Sequence, residues 1–244
     1  MMLSVLKSEL IKLKGSKILY LATLLQLITV LLVFFIYASN PKYSIAQTGW
    51  DEYYQTIYMF FNIMTGTATF YMITGYIFSR EYQEGTNLIL FTSPIPKLNF
   101  YFGKLLIILS FILFTMLIIL FLPFCLGMFI TDLPFTFELF VKQLKVVALM
   151  AIMHFCLIPI ASFFAIKWKS FLYVVTLMCL VLFFNIMLVN APGNFLYPWI
   201  VPLIFSPHQG MGRTFISYPL GTFSLCFIFI VGLFLSIYEY RKVR

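Results

Sequence analysis

Side chains that could do chemistry are few in this chain, and they are poorly placed for catalysis. It has two histidines, His154 and His208, so the paired His and Glu ligands of an intramembrane metalloprotease cannot be assembled at helical spacing. Cys125, Cys156, Cys179 and Cys226 each fall inside an apolar run with no CxxC spacing and read as small buried hydrophobes. There is no GxxxxGK[ST] phosphate loop, so any ATP that powers the protein is bound by another polypeptide. The 16 basic and 8 acidic residues fall at the ends of apolar runs or between them. A charge at a bilayer centre costs about 2.5 to 3.5 kcal/mol on insertion scales and is kept where ion or proton coupling requires it. This placement argues against a proton- or sodium-driven transporter, a voltage sensor, and an intramembrane hydrolase built on clustered ionisable groups. No catalytic residue, metal or cofactor is expected on the chain itself.

What remains is polar but uncharged: Gln26, Thr29, Asn62, Thr65, Gly66, Thr67, Thr69 and Asn185, with His154, all inside apolar runs. Two readings stand side by side. Small and hydroxyl residues let membrane helices approach and hydrogen-bond across their interface. Alternatively Gln26, Asn62, Thr65, Thr69, His154 and Asn185 line a translocation path, Asn62, Thr65 and Thr69 sharing one helical face at steps of three and four. His154 lies midway along its run, on the face opposite Lys145 nine residues earlier, and reads as a neutral imidazole bonded inside the bundle or as a substrate contact. His208 is assigned no role.

The elements that must position these residues are membrane helices. Of 244 residues, 62% are apolar or aromatic and 10% charged, far from the quarter expected of a soluble domain. About 20 apolar residues cross the hydrocarbon core as a helix. The chain therefore reads as one all-α integral membrane domain with an amphipathic surface helix at 1–17 and six spans, at 18–37, 57–78, 104–130, 141–166, 171–189 and 219–238. The first run is full length and is expected to be retained as a span. The formal charge of +8 comes from residues flanking apolar runs, which speaks for the lipid bilayer and against nucleic acid. With the N-terminus inside, twelve basic residues fall on the cytoplasmic side and four outside, which predicts both termini in the cytoplasm of a plasma-membrane protein. The weak point is Lys142 and Lys145, read as an amphipathic lead-in to the fourth span. Tyr37, Tyr43, Trp50, Tyr53 and Tyr54 form an outer aromatic belt, and Tyr76, Tyr82, Tyr101 and Trp168 an inner one.

Two connections carry information. The outer stretch 190–218 is apolar and broken by Pro192, Pro198, Pro202 and Pro207, as expected of a re-entrant segment that dips into the membrane under protein cover. The cytoplasmic stretch 79–103 holds a charged turn, a Gly, an apolar patch, and then Pro94 and Pro96, and looks like a docking helix. With its flanks it reads FSREYQEGTNLILFTSPIPKLNFYFGK and resembles the loop between the second and third spans of ABC-2 type permeases. The resemblance rests on Glu81, Gly85-Thr86, the apolar patch Leu88 to Phe91, Ser93-Pro94 and Gly103-Lys104 in that order. At the level of layout it extends over the whole chain and implies a type V exporter-like permease. It also implies that the loop seats in a groove of a separate ABC ATPase subunit holding ATP and Mg. Glu81 and Glu84 would then pair with basic residues of that partner, and Gly85, Thr86, Leu88, Ile89, Phe91 and Pro94 would shape and fill the contact. A second permease, identical or related, is implied as well.

Within the family, the small size and apolar outer connections are similar to permeases of bacteriocin-immunity and amphipathic peptide-toxin exporters of the phenol-soluble-modulin type. Thirty Phe and twelve Met offer an adaptable wall for amphipathic peptide or lipid-like cargo. The rival reading, a substrate-capture subunit of a vitamin-type importer, would not need the SREYQEGT segment and its proline break.

Overall fold

The computed structural model describes residues 2–13, 15–40, 44–85, 96–206 and 218–242, with side chains from residue 6 onward in the first helix. Helices α1 (Met2–Leu13), α2 (Lys17–Ser39), α3 (Ile45–Phe60) and α4 (Gly66–Gln83) come first, α3 and α4 being joined by a π-helical turn at Phe61–Thr65. They are followed by α5 (Lys97–Gly127), α6 (Phe137–Cys156), α7 (Ile158–Trp168) and α8 (Phe171–Leu188). A 3-10 turn at Asn194–Leu196 and the short α9 (Val201–Phe205) lead towards α10 (Tyr218–Lys242). No strand occurs among the described residues.

Local chemistry sets the breaks. Gly49 takes φ 83°, a conformation open to glycine, and separates the first turn of α3 from the rest. Pro159 sits in the first turn of α7, where its missing N–H costs nothing, and marks the bend after α6. The α7–α8 turn closes on Lys169 at φ 53°, and Ser170 Oγ accepts from Leu172 N–H at 3.3 Å to cap α8. Thr136 caps α6 in the same way through Leu139 N–H.

Five elements are long and apolar enough to cross a membrane: Lys17–Ser39, Lys97–Gly127, the α6–α7 pair Phe137–Trp168, Phe171–Leu188 and Tyr218–Lys242. The second expected span, 57–78, lies within the run from α3 to α4, which falls outside that group because it is too polar. From Trp50 to Gln83 this run is roughly 50 Å of helix, longer than a hydrocarbon core. It is more polar because it lies in the middle. α4 packs against α2, α5, α6, α7 and α8, and most of its side chains are buried. A helix enclosed by other helices can hold hydroxyl and amide groups that lipid would not tolerate.

The outer helices show the complementary pattern. On α10, Gly221, Leu225, Gly232, Ser236 and Tyr240 face inward, while Phe223, Phe227, Ile230 and Phe234 are 59–69% exposed along the opposite stripe. Water-soluble proteins do not leave such a stripe bare. Gly75 brings α4 against Val174 of α8, and Gly232 brings α10 onto the Pro159–Ile160 backbone of α7. Packing of membrane helices depends on such close approaches, because lipid supplies no hydrophobic drive between them.

Of the stretch 190–218, the described part is the 3-10 turn and α9, with Val201, Pro202, Leu203 and Ile204 buried against α6 and α10. Trp199 Nε1 donates to Tyr71 Oη at 2.5 Å, and Asn194 Nδ2 to Val189 O at 2.8 Å.

A Cβ on Gly232 would lie 2.8 Å from the Ile160 backbone nitrogen, whereas one on Gly221 would meet nothing closer than 3.5 Å. Gly232→Ala should therefore cost about 1–3 kcal/mol by overpacking and Gly221→Ala close to nothing. Thermal unfolding of the two variants in detergent measures the difference.

Candidate functional site

The cytoplasmic loop implied by the sequence to dock on an ATPase leaves α4 at Gln83. The charged residues at its root do not point away from the chain. Glu81 is 5% exposed and Lys104 fully buried. Lys104 Nζ lies 2.6 Å from one carboxylate oxygen of Glu81, and Lys12 Nζ of α1 lies 2.9 Å from the other. Lys12 also reaches Glu9, one turn earlier on its own helix, at 2.6 Å, and Lys104 stands 3.9 Å from Glu9. Two carboxylates and two ammonium groups thus alternate in a closed, electrically neutral cluster drawn from α1, α4 and α5.

Hydrogen bonds extend the cluster into a joint. Lys104 Nζ donates to Ile77 O at 3.1 Å. Arg80 Nη1 donates to Lys12 O at 2.6 Å, satisfying a carbonyl at the C-terminal end of α1, while its Nε pairs with Glu84 at 2.7 Å. Lys169, in the α7–α8 turn, stands over the Tyr82 ring at 5.9 Å. Burial pushes the Glu81 carboxyl up, but the ammonium groups of Lys104 and Lys12 outweigh it and hold the acid below its ordinary value. For Lys12, burial lowers the pKa, and its bonds to Glu9 and Glu81 outweigh that and raise it.

Of the docking residues, Glu81 therefore has both carboxylate oxygens engaged inside the chain. Its position two residues above the loop, beside the end of α1 and the start of α5, is what makes that possible. Glu84 is exposed and shared with Arg80, and Gly85 takes φ 67° where the described segment ends. Thr86, Leu88, Ile89, Phe91 and Pro94 lie outside the described residues.

The six polar residues proposed for a path all gather around the π-helical turn. A π turn bonds i to i+5 and disturbs the regular ladder around it. Two of its carbonyls are taken by amide side chains from other helices: Gln26 Nε2 donates to Thr65 O at 3.3 Å and Asn185 Nδ2 to Ile63 O at 3.1 Å. Gln26 also donates to Thr69 Oγ1, and Thr29 Oγ1 to Thr65 Oγ1 at 3.1 Å. On the other side Asn62 Oδ1 meets His154 Nε2 of α6 at 2.9 Å, while Asn62 Nδ2 donates to Tyr58 O at 2.8 Å. The wide turn splits the face expected of a regular helix, so that Asn62 turns to α6 whereas Thr65 and Thr69 turn to α2. All but Thr65 are buried. The cavities of about 560, 310 and 270 Å³ in the structure are lined by other residues.

A second polar chain joins α3 to α6 near Lys142, at the weak point of the charge pattern. Lys142 pairs with Asp51 at 2.7 Å, Gln143 Nε2 donates to the same carboxylate at 2.9 Å, and Tyr58 Oη donates to Gln143 Oε1 at 2.9 Å.

Sequence reasoning missed Glu9, Lys12 and Lys104 as members of one cluster. The signal was present: in a chain with so few charges, balanced charges at the ends of three helices expected on the same membrane side are candidates for one another.

Residues 5–187 match the family described as ABC-2 family transporter protein, a stretch that runs from α1 into the last turn of α8. The chain is also similar to the bacitracin transport permease protein BCRB of Bacillus licheniformis, with 21% identity over 208 residues that cover 84% of this chain and 98% of that protein.

Breaking a buried ion pair by removing one partner costs about 3–5 kcal/mol. Glu81→Gln and Lys104→Met should each destabilise the chain on that scale, and the double variant by less than the sum, as read by thermal unfolding. Because the folded-state pKa of Glu81 lies below its ordinary value of 4.5, its stabilisation is complete above that pH and drains away as the pH falls through the lower value. The Glu81→Gln variant should lack this acid-side loss. For the π turn, Gln26→Leu and Asn185→Leu each strand a carbonyl and should lower the melting temperature, at a cost of about 1–3 kcal/mol. If they instead leave stability unchanged but abolish transport, the residues line the path.

Proposed function

Because the chain belongs to the ABC-2 family of transporter proteins, we propose that it is the membrane permease of an ATP-driven exporter for hydrophobic or amphipathic peptides, acting in toxin export or immunity, or for lipid-like cargo. It is a multi-pass plasma-membrane subunit of an ABC transporter and not itself the ATPase. Permeases of this family work with ATPase subunits and usually with another permease. In the proposed arrangement six spans cross the bilayer, with the α3–α4 run as the second. Both termini are cytoplasmic, 190–218 is a re-entrant segment, and ATP and Mg are held by the partner ATPase. The second permease is an identical or related chain.

The observation that carries this reading is the joint at the root of the loop. Nucleotide-driven closure has to be transmitted by elements that do not yield. Glu81, Lys104, Lys12 and Glu9 tie α1, α4 and α5 together in a place where separating the charges is expensive. A push on the loop then moves the ends of three helices as one body. On this reading Glu81 is a positioning residue that holds the lever. Docking falls to Glu84, Gly85, Thr86, Leu88, Ile89, Phe91 and Pro94, while Gln26, Asn62, Thr65, Thr69, His154 and Asn185 brace the π turn through which the lever acts.

The peptide cargo is supported by the short, apolar outer connections and by the printed name of the relative, a bacitracin transport permease. Bacitracin and a labelled amphipathic helical peptide are accordingly the first probes. Co-expressed with its ATPase and reconstituted in vesicles, the chain should move one or both in an ATP-dependent way. Glu84→Lys combined with Phe91→Asp should lower transport and ATPase association about tenfold or more, the loss of a single interface hot spot. Unchanged association would refute docking by this loop, and ATP-independent movement would refute the transporter reading itself.

A further inference from the structure

Beneath the amphipathic helix lies a groove of about 560 Å³, within the roughly 300–1,000 Å³ of small-molecule sites. Its walls include Leu10 and Ile11 of α1, Ile73 and Ile77 of α4, and Phe111 and Phe114 of α5. Among the described residues, two polar ones touch it. Ser110 spends its hydroxyl on Leu106 O at 2.9 Å, leaving the wall apolar. Lys7, exposed on α1, is the other.

The groove has a polar end and an apolar end. α1 lies level with Lys104, to which its Glu9 and Lys12 are tied through the ion cluster. Phe114 is ten residues further along α5, about 15 Å deeper. The site therefore runs from the membrane surface, where α1 lies, into the hydrocarbon. At the surface end Lys7 lines the groove; it is exposed and, among the described residues, has no carboxylate partner. The nearby acid, Glu9, is buried and neutralised by Lys12.

We propose that this groove is a lipid site that takes one acyl chain of an anionic phospholipid, with the phosphate against Lys7. Charge complementarity selects the occupant. A basic rim on the membrane surface attracts anionic headgroups by about 1 kcal/mol per Lys, and an apolar slot leading inward accepts the tail. A zwitterionic phospholipid would fill the slot, but its own ammonium group would compete with Lys7 for its phosphate. An apolar peptide segment would leave Lys7 without counter-charge. Binding here would prop α1 from below, on the face opposite the joint with α4 and α5. The site depends only on α1 lying at the membrane surface. That the leaflet is the inner one rests on the orientation proposed above.

The full chain in nanodiscs of mixed phosphatidylglycerol and phosphatidylethanolamine, with a trace of phospholipid carrying a photoactivatable acyl chain, provides the test. A phosphatidylglycerol probe should cross-link residues 107–114 of α5 and be displaced by unlabelled phosphatidylglycerol in preference to phosphatidylethanolamine. Lys7→Glu, at an exposed site, should reduce that cross-linking about fivefold or more, and Ser110→Trp should abolish it. Labelling of the lipid-facing sides of α8 and α10 should survive in both variants, which shows that they are folded. The proposal is overturned if a phosphatidylcholine probe labels the groove equally, if neither variant changes the labelling, or if an amphipathic peptide displaces the probe and phosphatidylglycerol does not. Loss of ATP-dependent transport with lipid labelling intact would bear on the transporter reading alone.

Discussion

The carboxylate of Glu81 is held between two ammonium groups in a nearly waterless place, and the geometry of three helices follows from keeping it there. Lys104 reaches it from α5 and Lys12 from α1, so neither helix can slide along α4 without stranding a charge. Arg80 adds a second tie by donating to the last turn of α1. The amphipathic helix is thus more than a float on the membrane surface. It is bolted to the bundle where the loop after α4 departs. A buried ion cluster is weak evidence of net stability but strong evidence of register, since charges repay their desolvation only in one arrangement. On the proposed coupling role, register is the property of interest.

A second constraint runs through the middle. In the run from α3 to α4, α4 packs against α2, α5, α6, α7 and α8, and the π turn before it is held by amides from α2 and α8 and by the Asn62–His154 contact to α6. A π turn in an apolar solvent needs partners for its carbonyls, because lipid offers none. Gln26 and Asn185 therefore read most directly as braces. Thr65 and Thr69 bond to α2 in the same spirit, with hydroxyl groups short enough to let the helices approach. Together the ion joint at one end and the braced turn in the middle make the central helix a rod with two fixed points.

The membrane class and the apolar runs were legible in the sequence, because lipid imposes requirements that each segment must meet alone. Every lipid-facing run has to be long and uncharged, and five are. The second run was expected as a span from its length and position, and its amides and hydroxyls place it outside the apolar group. Its extension back to Trp50 was not, because the buried aromatics Trp50, Tyr53 and Tyr54 look like an interfacial belt when read one residue at a time. Asn62, Thr65 and Thr69 were legible as notable. The shared face expected from their spacing does not form, because the spacing argument assumes a regular helix and the π turn breaks it.

Glu81 shows where sequence ends and tertiary structure begins. Its type and its place above the loop were plain from the sequence, and its charge had to meet a cation. The sequence by itself determined that the chain lives in a membrane, carries no phosphate loop and concentrates its few charges at helix ends. Which cation Glu81 meets is a fact about three helix ends separated by tens of residues, and only their packing brings Lys12 and Lys104 to it. Segment-by-segment physics fixes solvent and secondary structure. Pairing of charges depends on distances between segments, which local patterns do not encode.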